Sequence, residues 1–93
     1  MEDQQLREYF DTGISKIRHE IKSRLVPHGL FGSVTNADTG PTGSVPAGSK
    51  IEITVKGRIA GRSFDRGQIE GCRLRVGGDV LLGIISMVEE LSG

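Results

Sequence analysis

Apolar and polar positions alternate along this chain in three distinct rhythms. From Met1 to Val26 the apolar residues Leu6, Tyr9, Phe10, Ile14, Ile17, Ile21 and Leu25 recur every three or four positions. That spacing gathers them on one helical face. Glu8, Asp11, Lys16, Arg18, Glu20 and Lys22 fall on the other. The pattern predicts an amphipathic helix over 1–26. Pro27 sets its end, because a proline disfavours helical geometry in the residue before it. Gly13 interrupts the helix and costs roughly 1 kcal/mol relative to Ala.

The second rhythm has a period of two. Ile51, Ile53, Val55 and Ile59 alternate with Glu52, Thr54, Lys56 and Arg58, as a half-buried strand requires. Ala60-Gly61 is the expected turn, with a returning strand that faces Phe64 inward. Cys72, Leu74 and Val76 alternate with Arg73 and Arg75 and read as a third strand. Ile69 is out of phase with them. The same residues also fit a helical period, and the assignment of 69–76 stays open between the two. Gly71, Gly77 and Gly78 tip it towards strand, because each would weaken a helix. Residues 50–76 are thus expected to form a hairpin or meander.

The third rhythm spans 79–91: Val80, Leu81, Leu82, Ile84, Ile85, Met87, Val88 and Leu91 cover most of a helix. Asp79 is placed to cap its start. A helix apolar nearly all round is buried on more than one side. Between the first two elements, residues 27–49 are rich in Gly, Ser, Thr and Pro. They read as a flexible Gly/Thr-rich loop, with 35–49 free to order on binding. Thr39–Ser44 has the composition of a phosphate-cradling loop but lacks the Gly-Lys-Ser/Thr ending that gives such loops their chemistry.

The expected architecture is a single α+β domain over 1–93: an N-terminal amphipathic helix, a small antiparallel sheet of two to three strands, and an apolar C-terminal helix. This order of helix, strands and helix is shared with double-stranded-RNA-binding domains, but Gly77-Gly78-Asp79 occupies the place of their basic second-helix start.

Composition sharpens the picture. The chain has 93 residues, no Trp, one Tyr and three Phe. Large aromatic burials are scarce, and association with further copies is one remedy for a thin core. A homo-oligomer is expected, with Ile14, Ile17, Ile21, Leu81, Ile84, Ile85 and Val88 at the interface.

Lysines and arginines balance acidic residues to a formal net charge of zero, which argues against a protein built wholly for nucleic acid or a membrane surface. The charge is segregated, however. Lys50–Arg75 carries seven basic residues against three acidic ones. The candidate binding residues are Lys56, Arg58, Arg62, Arg66, Arg73 and Arg75, whose guanidinium forks suit carboxylates and phosphates. The leading expectation is a non-catalytic module that engages an acidic partner protein through this basic hairpin face. The alternative is an anionic small ligand or nucleic acid at the same face.

His19, His28 and the single Cys72 form no catalytic or zinc-binding spacing. No catalytic residue, metal or cofactor is expected. The lone cysteine and the lack of a signal-peptide pattern suit a cytoplasmic protein without a membrane span.

Overall fold

The computed structural model describes residues 2–40 and 45–93. Helix α1 (Glu2–Leu25) is followed by a short 3-10 turn (Val26–His28) and strands β1 (Ser33–Thr39), β2 (Gly48–Val55) and β3 (Arg58–Asp65). Helix α2 (Arg66–Gly71) and helix α3 (Gly78–Ser92) complete the chain. The strands form one antiparallel sheet in the order β1-β2-β3. The α+β architecture and both terminal helices agree with the sequence pattern.

The sheet has one covered face. Val34, Ile51, Ile53, Val55, Ala60 and Phe64 are buried there. Phe10, Ile14, Ile17, Ile21 and Leu25 of α1 close over them, joined by Val80, Ile84, Met87, Val88 and Leu91 of α3. Ser33, Thr35, Ala37, Lys50, Glu52, Thr54, Ile59 and Ser63 take the alternate positions on the opposite face, the solvated side usual for an antiparallel sheet.

Several local expectations are corrected. The first concerns the hairpin. The chain turns at Lys56-Gly57, not at Ala60-Gly61, and pairs Val55 with Arg58. Both turn residues have positive φ, 51° for Lys56 and 80° for Gly57, the geometry of a type I′ turn whose twist matches the flanking strands. This earlier turn reverses the phase of Arg58 and Ile59. Ile59, expected in the core, is 64% exposed, and Arg58 moves to the helix side, which Arg62 and Phe64 share.

Second, the loop expected over 27–49 contains β1. Only Val34 among the residues of β1 is buried, so the strand carries almost no apolar alternation. Residues 41–44 of that expected loop lie outside the described residues.

Third, 66–76 holds no strand. Asp65 Oδ1 accepts from the Gln68 amide at 2.8 Å, and Gln68 Oε1 accepts from the Asp65 amide at 3.0 Å. This reciprocal capping box starts α2. The helix stops after Gly71, so the continuous helical reading fails as well. Asp79 is not the cap of α3: Gly77 is, and Asp79 sits in the first turn, where a negative charge suits the helix dipole.

Gly13 is no flaw. It is buried where α1 crosses the backbone of α2, and a Cβ there would overlap the carbonyl of Ile69. Gly13→Ala is therefore expected to destabilise the fold by about 1–3 kcal/mol, as overpacking does. A helix limited only by propensity would instead gain roughly 1 kcal/mol. Urea unfolding of the two proteins decides the sign.

Candidate functional site

The six basic residues singled out from the sequence do not form one face. Arg58 Nη2 donates to the carbonyl of Glu90 at 2.7 Å, and its Nη1 to that of Leu91 at 3.4 Å. It thus satisfies carbonyls left open at the end of α3. Arg62 Nη1 donates to the carbonyl of Gly61 at 2.8 Å. Its Nη2 reaches Ser86 Oγ at 2.9 Å and Glu90 Oε1 at 3.1 Å. These two cations offset the otherwise unfavourable position of Glu90 at a helix C-terminus.

Arg66 donates to the carbonyls of Pro46 and Val45, both at 2.7 Å, and holds the approach to β2. Arg73 donates to the carbonyl of Glu70 at 2.8 Å and lies over the Tyr9 ring at 4.2 Å from its centroid. Lys56, at the hairpin tip, and Arg75, before α3, are exposed at separate places on the fold. The basic hairpin face is thus divided into internal ties: the earlier turn brings Arg58 to the helix side beside Arg62, and Arg66 and Arg73 lie at the two ends of α2 instead of on strands.

The expected interface residues are likewise mostly committed within the chain. Ile14, Ile17, Ile21, Ile84 and Val88 are all buried in its own core. Leu81 and Ile85 are half-buried on the outer side of α3, beside the exposed Leu82. Cys72 is buried, and burial raises its thiol pKa; the neighbouring Gly77 backbone acts in the opposite direction. That environment favours the unreactive thiol over the thiolate.

A different surface stands out at the end of α1. Leu30 N–H donates to the Leu25 carbonyl at 3.1 Å and Gly29 N–H to that of Val26 at 2.9 Å. Gly29 has φ 68°. This is a Schellman closure, in which the residue after the glycine packs back on the last helical turn. Leu30 folds inward and the chain then reverses into β1. Phe31 is left 84% exposed and Val26 68% exposed. Together with Lys22, Leu25, Leu30 and Gly32 they line a cavity of about 180 Å³.

A larger open groove of about 370 Å³ runs along the neighbouring flank of α1, lined by Asp11, Ile14, Ser15, Arg18, His19 and Lys22. Lys22 belongs to both. The groove lies on the flank that α1 turns to β1, where Arg18 Nη1 donates to Asn36 Oδ1 at 2.9 Å. Sequence reasoning passed over Phe31 because it was assigned to a loop. The available signal was a large aromatic set between Gly29 and Gly32 directly after a helix stop.

Comparison of the chain with protein-family models, curated proteins and solved structures returned no match.

The internal ties make a definite expectation. Reversing Arg58 to Glu would set a carboxylate against the carbonyls of Glu90 and Leu91. Arg58→Glu should lower stability by about 2 kcal/mol, the scale of losing charged hydrogen bonds. Lys56→Glu, at the exposed tip, should change it by less than about 0.5 kcal/mol. Thermal melts of both variants test the contrast; equal effects would contradict an anchoring role for Arg58.

Proposed function

We propose that the chain is a non-catalytic interaction module that engages an acidic protein segment through the end of α1. The observation that carries this reading is Phe31. A large aromatic side chain held out in water, on the rim of an apolar cavity, is a poised anchor. Burying one is worth about 1.5–3 kcal/mol, and aromatic anchors in apolar pockets concentrate binding energy.

The surrounding charge favours an acidic segment. Lys22 lines the cavity, and His28 is exposed at the turn. Arg24 is held by Glu20 at 2.8 Å and contributes less free charge. The expected acidic partner is thereby retained, while its seat moves from the hairpin to the far end of the first helix. An anionic small ligand has less to recommend it at this position, because the cavity walls are mainly aliphatic and aromatic.

Self-association is a second reading. Leu81, Leu82 and Ile85 form an apolar strip on the outer side of α3. Among the described residues no helix is long and apolar enough to cross a membrane.

Selection of a displayed peptide library on the wild-type protein tests the main reading. Enriched peptides should combine an apolar anchor with acidic residues and lose at least ten-fold in affinity for Phe31→Asp, whose melting temperature should be close to wild type. Peptides that bind both proteins equally would reject it. For the second reading, light scattering should give more than one chain mass at micromolar concentration and a single chain mass for Leu82→Glu; a wild-type monomer rejects it.

A further inference from the structure

We propose that the acidic segment binds as an extended strand, adding a fourth strand to the free edge of β1 with alternate side chains in the α1 groove. This rests on the reading of Phe31 as the anchor and names the form the partner takes.

The edge is the first observation. The sheet order leaves β1 with β2 as its one neighbour, and among the described residues no strand pairs with its other side. The ladder identifies which amides are free. The two-residue turn makes Val55 and Arg58 a hydrogen-bonded pair, and such pairs alternate along an antiparallel ladder. Residues 49, 51, 53 and 55 of β2 therefore bond to β3, and 48, 50, 52 and 54 bond to β1. Their partners are Thr39, Ala37, Thr35 and Ser33. The acceptance by the Thr39 carbonyl of the Ala47 amide at 3.0 Å agrees with this phase, since it places Thr39 towards β2. Val34, Asn36 and Asp38 consequently direct their backbone N–H and C=O groups outward, at the repeat an added strand needs. β1 has no proline and pairs with β2 without a bulge, so the edge lacks two of the usual guards against strand addition.

The groove is the second observation. Val34, Asn36 and Asp38 turn their side chains to the helix side of the sheet. Val34 is buried, Asn36 meets Arg18, and Asp38 lies 3.9 Å from Arg7. A strand added about 4.8 Å outside β1 sends its alternate side chains to that same side, beneath the flank of α1. Arg18, His19 and Lys22 line the groove there, with Asp11 the one acidic residue. Acidic side chains fit this lining. At one end Lys22 joins the groove to the cavity beside Phe31, and Phe31 lies two residues before β1 begins. Backbone pairing, cationic groove and apolar anchor thus share one axis. An extended chain uses all three, whereas a helix could not pair with the edge. This is strand addition, in which backbone bonds supply affinity and alternate pockets supply specificity.

A capped synthetic nonapeptide with one Leu anchor, followed by Glu at alternate positions and Thr between them, provides the probe. Titration calorimetry measures binding, and amide hydrogen exchange reads the edge. The expected result is micromolar binding with at least ten-fold slower exchange at Val34, Asn36 and Asp38. Asp38→Pro removes an outward N–H that no described strand uses and should weaken binding at least ten-fold. Should that variant not fold, N-methylation of alternate peptide amides removes the same bonds from the ligand side and should do likewise.

No binding at millimolar peptide overturns the proposal. Binding with unchanged exchange and full affinity for Asp38→Pro or the methylated peptide overturns strand addition alone, provided that Phe31→Asp still abolishes binding. Equal binding to Phe31→Asp overturns the anchor as well. A doubled chain mass that Asp38→Pro abolishes would mean that β1 pairs with a second copy, and would overturn the peptide reading.

Discussion

The turn at Lys56-Gly57 governs the rest of this structure. A side chain in a strand changes face with every residue, so moving a two-residue turn changes the face of the residues between its two positions. Here the turn sets the covered side of β3 as Arg58, Ala60, Arg62 and Phe64. The two residues that can pack, Ala60 and Phe64, complete the apolar face begun by Ile51 and Ile53. The two arginines lie at positions where α3 offers carbonyls, Ser86 and a carboxylate. Ile59 is left in water in exchange. The turn itself is not conformationally free, since Lys56 holds a left-handed geometry that lysine seldom adopts. The strands on either side hold it there, through the burial of Ile53, Val55 and Ala60.

A core with few aromatic residues is joined at its margins by guanidinium groups. Arg58, Arg62, Arg66 and Arg73 all donate to backbone carbonyls. A planar fork with several fixed donors suits this work better than an ammonium group. The interior itself is aliphatic, built from isoleucines of α1 and β2 with Ile84, Met87 and Val88 of α3. The arginines tie the chain where that packing ends: at the last turn of α3, at the approach to β2, and after α2.

The sequence made α1, β2 and α3 legible because each buries a regular set of apolar residues. Ile17, Ile21, Ile51, Ile53 and Ile84 have no exposed surface, and their spacing follows directly from the geometry of helix and strand. β1 was hidden because an edge strand buries one face at most, and here its inward positions after Val34 are Asn36 and Asp38, which meet arginines instead of a core. The short α2 was hidden by the alternation of Cys72, Leu74 and Val76, although Asp65 and Gln68 carried a capping pattern. The basic residues are legible as a concentration of charge, but where Arg58 points depends on a turn without an Asn-Gly or Asp-Gly signal, and where Arg66 and Arg73 point depends on α2. The exposed end of α1 was missed for a related reason: a phenylalanine in a loop is ambiguous until the helix closure at Gly29 shows which way it is turned.

The seat of Gly13 against Ile69 also has a bearing on how the protein comes into being. The first helix emerges from the ribosome with its apolar stripe complete, yet the surfaces that close it are the strands, α2 and α3, which are made afterwards. At about 5–20 residues per second, several seconds separate the synthesis of Phe10 from that of Leu91. Throughout that interval the nascent stripe lacks part of its native cover. Completion of the core therefore waits for α3, and the helix that is made first is the one that must wait longest for its partners.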